Sequence, residues 1–217
     1  MFLGRIYLVR HGETEWNKVQ RSQGCGNDIP LSIDGIKQAQ AVAKWLSTEK
    51  IDMIFSSTLL RAYETAVVIS KYHNLEVVKC NEFTEINFGE WEGMCFPDIK
   101  EKYNDIYNIW RNTPHLAEIP GAESIVALRE RSMNKLLEII KENPDKNILV
   151  VSHGISIKVI VTAIMDMDIG NIHRIRQDNT AINIFDYENN VFDCIAINDI
   201  CHLRGIMDMK NGSFEMK

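Results

Sequence analysis

The chain has 217 residues, 45% of them hydrophobic and 25% charged, the balance of an ordinary globular protein rather than a disordered or fibrous one. Its formal net charge of −6 argues against a nucleic-acid partner, which selects basic surfaces, and any anionic ligand must be held by cations gathered locally against the overall field. No apolar run reaches the length of a membrane span; Cys25, Cys80, Cys95, Cys194 and Cys201 form no CxxC pair or metal-type spacing, so reduced thiols in a cytoplasmic protein are expected.

RIYLVRH (5–11) is short and β-rich and predicts a buried strand; Gly4, Arg5 and Arg10 break the apolar run that a secretory leader would need. Residues 34–50 carry Ile36, Ala39, Val42, Ala43 and Leu46 at helical spacing, with Asp34 as the expected N-cap. IDMIFSS (51–57) predicts a second buried strand, 58–73 a second helix and EVVKC (76–80) a weak strand. Residues 86–122, rich in aromatics, Gly and Pro, predict one short helix around 97–110 within a lid-like insertion over the main domain. A long helix over 123–143 ends near Asn143–Pro144; NILVVSH (147–153) predicts a third buried strand and 154–167 the helix after it. AINIFDYE (181–188) and VFDCIAIND (191–199) predict two further strands joined by Asn189 and Asn190, and a loose tail follows from Gly205. Strands alternating with helices predict one α/β domain over 1–204: three layers, a doubly wound and mostly parallel sheet with helices on both faces, and a helical insertion over the ligand site.

Three apolar strands end on hydrophilic residues: VRHG, FSST and VSHG. Ligands of open α/β sheets bind beyond the carboxyl ends of the strands, so His11 and His153 should share one crevice if their strands are neighbours. A lone histidine at a strand end is more often a hydrogen-bonded polar residue; two His-Gly pairs with Arg10 beside the first point to a site. Gly12 and Gly154 allow close backbone approach, and Gly154 opens a helix, whose N-terminus attracts phosphate. Arg61, one turn into the helix after FSST, can point back into the same crevice. His73, His115, His173 and His202 lack such context and read as structural or surface residues.

LVRHGETEWN (8–17) resembles the signature of the histidine phosphatase superfamily, in its phosphoglycerate mutase-like branch of small-molecule phosphatases. DIPLSIDGIKQAQ (28–40), FSSTLLRAYETA (55–66), EINFGEWEG (85–93), PGAES (120–124) and VVSHG (150–154) continue the resemblance in the family's order. It implies that His11 is the nucleophile, that Arg10, Arg61 and His153 hold the phosphoryl oxygens, and that Glu85 is the general acid and then base. By the same resemblance Asn17, Gln23 and Gly24 contact the phosphate, joined by Gly154 at its helix N-terminus, and neither a metal nor another cofactor is required. Such chemistry suits these residue types. A neutral imidazole can attack phosphorus, and arginine forks match phosphoryl oxygens. QGCGNDIPL spaces Gly24 and Asp28 four apart, one residue more than the family pattern.

The expected function is therefore metal-independent hydrolysis of a small-molecule phosphomonoester through phosphohistidine. A cofactor-dependent phosphoglycerate mutase is the alternative. Mutases of the family carry a longer insertion and a basic pair after the tryptophan, whereas only Arg111 follows Trp110 here. A silent phospholigand-binding module would be expected to lack the nucleophile, a clamping arginine or the acid, and all three are present. Residues 86–122 should set specificity, with Trp91, Phe96, Tyr103, Tyr107 and Trp110 either lining an apolar wall or forming a small core of their own.

Overall fold

The computed structural model describes residues 4–188 and 191–204. Its elements are β1 (Gly4–Arg10), α1 (Glu15–Lys18), α2 (Ile33–Leu46), β2 (Met53–Ser57), α3 (Leu60–His73), β3 (Val77–Cys80), α4 (Phe96–Lys102), α5 (Asn104–Asn112), α6 (Ile125–Glu142), β4 (Ile148–Ser152), α7 (Gly154–Ile164), β5 (Ile182–Glu188) and β6 (Val191–Asp199). The strands form one sheet in the order β3-β2-β4-β1-β5-β6. The first four are mutually parallel; β5 runs antiparallel to β1, and β6 antiparallel to β5. The expected Asn189–Asn190 join and the tail from Gly205 lie outside the described residues.

The central strands are apolar without alternation because both their faces are covered. Ile6 and Leu8 of β1 and Ile148 and Val150 of β4 face one core, packed by Leu136 and Ile140 of α6 and Ile157 and Ile160 of α7. Tyr7, Val9, Leu149 and Val151 face the other, packed by Val42 and Leu46 of α2 and Ala62 and Ile69 of α3. That is the expected three-layer α/β architecture. No helix among the described residues is long and apolar enough to cross a membrane.

Three local expectations are corrected. The N-cap of α2 is Ser32, whose hydroxyl accepts from the Gly35 amide at 3.0 Å; Asp34 stands inside the first turn. Residues 97–110 hold two helices, α4 and α5, which break at Tyr103 (φ −126°, ψ 41°). The break has a cause in the side chain: Tyr103 stacks obliquely on Trp91 and its hydroxyl donates to Glu90 at 2.6 Å. The helix after β4 stops at Ile164, since Asp166 turns left-handed (φ 50°). Residues 86–122 bring their own apolar cluster, in which Phe88, Trp91, Ile99 and Trp110 pack on Leu128 of α6 and Val159 of α7.

Candidate active site

β1 and β4 are paired in parallel with Arg10 opposite Ser152, so the next residues, His11 and His153, leave the sheet side by side. Their ring centroids lie 5.2 Å apart and both rings are buried. His11 Nδ1 is 2.7 Å from the Gly12 carbonyl. A carbonyl only accepts, so Nδ1 carries the hydrogen and Nε2 keeps its lone pair. Burial, then Arg61 and Arg10, push the His11 pKa well below its ordinary 6.5. The loop that presents it is tied down: the Gly12 amide donates to Thr65 Oγ1, and the His11 carbonyl accepts from the Thr180 amide and Asn179 Nδ2. A Cβ on Gly12 would fall 2.6 Å from the Gly35 carbonyl, so only glycine lets the start of α2 lie against this loop.

Arg10 donates to the Gln177 carbonyl at 2.6 Å, and the Gln177 and Asn183 side-chain amides exchange two hydrogen bonds beneath it. Arg61, wholly buried, donates to the carbonyls of Gly24 (3.0 Å) and Asn27 (3.4 Å). Burial lowers its pKa to about 10, which leaves it cationic at neutral pH. His153 Nε2 lies 2.7 Å from Ser57 Oγ at the end of β2, and burial, then Arg61 and His11, push its pKa well below 6.5. Arg10 Nε, Arg61 Nε and His153 Nδ1 are buried without any hydrogen-bond partner. Each unpaired buried polar group costs about 1–3 kcal/mol. All three belong to neighbours of His11: Arg61 and Arg10 depress its pKa and the His153 ring stands 5.2 Å away.

Glu85 reaches across to the start of α7. Its carboxylate accepts from the Ile155 and Ser156 amides, from Ser156 Oγ and from the Ile86 amide, all between 3.0 and 3.1 Å. Arg131 of α6 holds the segment behind it: the guanidinium pairs with Glu123 at 2.7 Å and donates to the carbonyls of Glu82, Thr84 and Glu85.

Thr14 organises the opposite side. Its amide donates to Asn17 Oδ1, and its hydroxyl proton lies within reach of Asn17 Oδ1 and Gln23 Oε1. Both side-chain amides thus have their oxygens engaged and keep their NH2 groups for the cavity. Gly24 is placed differently. A Cβ there would run into the Glu92 carboxylate, and Gly24 offers its carbonyl to Arg61 instead of lining the cavity. The loop with the additional residue is anchored by Glu92, which accepts from the Gly26 amide and Asn27 Nδ2.

These groups surround a cavity of about 450 Å³. Arg10, His11, Asn17, Gln23, Glu85 and Gly154 line its inner end, while Arg61 and His153 are wholly buried and off its lining. Phe88, Phe96, Tyr107 and Trp110 form an apolar wall. Trp91 and Tyr103 belong instead to the small core. The outer end carries Arg21, Arg111, Lys158 and His173. His173, expected as a structural or surface residue, stands in this wall: Nε2 donates to the Trp110 carbonyl at 2.7 Å, and burial, then Lys158, lowers its pKa to about 4. Lys158 was legible in principle, four residues after Gly154 on the same helical face; Gln177 and Arg131 act through backbone carbonyls and left no signal.

Comparison with known proteins agrees with this geometry. The chain is 36% identical over 199 residues to phosphoserine phosphatase 1 of Hydrogenobacter thermophilus, covering 92% of this chain and 94% of that one. Among solved structures, a mutant phosphoserine phosphatase from Entamoeba histolytica in complex with phosphoserine superposes with a TM-score of 0.83 at 32% identity, over 92% of this chain and 99% of that one. Bacillus stearothermophilus YhfR gives a TM-score of 0.88 at 26% identity, over 93% of this chain and 100% of that one. The family profile described as histidine phosphatase superfamily (branch 1) matches residues 6–200, and the chain belongs to that superfamily.

Proposed function

We propose that the protein is a metal-independent phosphomonoesterase that hydrolyses a small phosphorylated metabolite in the cytoplasm, using one domain over residues 1–204. The observation that carries this reading is the His11 ring, neutral and with Nε2 free, amid the unpaired nitrogens of Arg10, Arg61 and His153. Nε2 attacks phosphorus, the ester P–O bond breaks, and Glu85 gives its proton to the leaving oxygen. Arg10, Arg61 and His153 meet the charge that spreads over the phosphoryl oxygens, with Asn17 and Gln23 as neutral donors and the amide end of α7 at Gly154 behind them. In the second half, Glu85 takes a proton from water. The water oxygen bonds to phosphorus, the N–P bond breaks and its electron pair returns to Nε2. Gly24 serves by fixing Arg61.

A mutase is the second reading, and one observation favours it: Arg21 and Lys158 join Arg111 at the outer end, making it more cationic than Arg111 alone. The test is phosphate release in excess EDTA from a panel of small phosphomonoesters that includes 3-phosphoglycerate. Release that persists in EDTA and vanishes in His11→Ala is expected. Glu85→Gln should lose about 10²–10⁴-fold in turnover while still binding phosphate. Release that EDTA abolishes would overturn the reading, and scrambling between 2- and 3-phosphoglycerate without release would replace it with a mutase.

A further inference from the structure

A hydroxyl has one proton to give, and that of Ser57 has one place to go. Ser57 ends β2, wholly buried, in a strand paired in parallel with β4. Among the described residues its Oγ has two polar neighbours: the Leu59 amide, which donates to it at 3.2 Å, and His153 Nε2 at 2.7 Å. The amide can only donate, so the imidazole is the acceptor for the hydroxyl proton. Were Nε2 to carry the ring hydrogen instead, Ser57 would receive two protons and keep its own as a buried donor without an acceptor. Ser57 therefore donates, Nε2 holds the lone pair, and the hydrogen of the neutral ring sits on Nδ1. Two bonds hold the serine itself: the Leu59 amide fixes its hydroxyl, and Ser56 Oγ donates to its carbonyl at 2.9 Å.

Nδ1 is the nitrogen of this ring that is left buried without a partner. With its hydrogen it offers a donor to an oxyanion; in the other tautomer it would present a lone pair and repel one. His11 makes the contrast. Both rings carry hydrogen on Nδ1, yet the Gly12 carbonyl engages it in His11 and leaves Nε2 free to attack, whereas Ser57 engages Nε2 in His153 and leaves Nδ1–H free to donate. Two adjacent neutral histidines thus expose nitrogens of opposite character, one nucleophilic and one donating. A neutral donor also adds no third cation to Arg10 and Arg61, and a charged one would repel both.

We propose that Ser57 is a positioning residue that locks His153 in the Nδ1–H tautomer, so that this histidine serves the phosphoryl group as a neutral hydrogen-bond donor. The service to phosphate rests on the phosphomonoesterase reading above; the tautomer does not.

Nitrogen NMR of protein labelled at the histidine rings reads the tautomer without turnover, with His153→Asn to assign the signals. The wild type should show a protonated Nδ1 and a bare Nε2 on His153. In Ser57→Ala that ring should become a mixture of tautomers while His11 stays as it was. In the same variant kcat on the best phosphomonoester should fall roughly tenfold, part of the about 10²–10³-fold that an oxyanion donor is worth. Ser57→Thr keeps the hydroxyl and should restore both the single tautomer and the rate. Ser57→Ala also takes an acceptor from the Leu59 amide and lowers stability, but a merely destabilised protein keeps its tautomer, so the spectrum decides. A protonated Nε2 in the wild type, or an unchanged His153 in Ser57→Ala, would overturn the lock. A mixed tautomer with undiminished kcat would overturn the donor role. A locked tautomer in a protein that releases no phosphate from any ester would refute the hydrolase and leave the lock standing.

Discussion

Arg131 lies off the cavity, yet its guanidinium is matched on both edges: Glu123 on one, the carbonyls of Glu82, Thr84 and Glu85 on the other. The planar fork is what makes this possible, and a lysine cannot reproduce it. Arg131→Met leaves the Glu82 and Glu85 carbonyls and the Glu123 carboxylate without this donor, while Thr84 keeps the Ser156 hydroxyl, and a loss of about 1–3 kcal/mol in stability is expected. Turnover should fall more than tenfold with KM little changed, because Glu85 loses its backing while the phosphate donors keep theirs, and Arg131→Lys should recover little. Denaturant melts beside steady-state kinetics check both; unchanged kcat in a destabilised variant would remove the positioning role. At this scale the sequence was readable where a motif repeats, as in the two His-Gly pairs, and where the family resemblance singled out Glu85. It was silent on Arg131, which looks like any surface arginine of an amphipathic helix because its backbone partners lie 46 to 49 residues away.

α3 begins without a cap of its own. Leu59 at the N-cap position has no side-chain acceptor, and the Leu60 amide donates to Asp28 at 2.6 Å. The neighbouring Arg61 returns the contact by donating to Gly24 and Asn27 of the same loop. Helix start and loop therefore hold each other. Asp28→Ala should cost about 1 kcal/mol, the ordinary loss for a cap, and should lower kcat/KM because the carbonyls that aim Arg61 become free to move. Asp28→Asn keeps the acceptor oxygen and should restore most of both. Full activity in Asp28→Ala would break the link between loop and arginine. The central strands were legible from unbroken apolar runs such as IYLV and ILVV, which suit strands covered on both faces. The start of α2 was not, since Ser32 and Asp34 are both good caps and only the direction of the chain after Leu31 decides between them. The division of 97–110 into α4 and α5 follows from where Tyr103 stacks, a tertiary demand that periodicity does not carry.

Across the molecule, burial is the first cause that lowers His11, His153, His173 and His202, the last two to about 4. In the unfolded chain each returns to about 6.5. The unfolded state thus binds more protons than the folded state between pH ~4 and ~6.5, and stability rises with pH across that window. It is fully present above 6.5 and lost as the pH falls. Melting temperature should fall steeply between pH 6.5 and 4.5, with more than one proton taken up on unfolding near pH 5. Scanning calorimetry at several pH values measures this, and a constant melting temperature over that range would refute it. The same arrangement keeps His11 unprotonated and ready to attack well below neutrality.

β1 is flanked by β4 and β5, and neither neighbour exists when β1 is made. Ribosomes add about 5–20 residues per second, so the strand that ends in the nucleophile waits on the order of ten seconds for β4, and longer for β5. Throughout that interval Ile6 and Leu8 lack the β4, α6 and α7 residues they pack on, Tyr7 and Val9 have only α2, β2 and α3 to meet, and Arg10 lacks the carbonyl of Gln177. The half-made chain is thus no partial enzyme: the strand that carries the nucleophile is fixed in the sheet only once β4 and then β5 have been made.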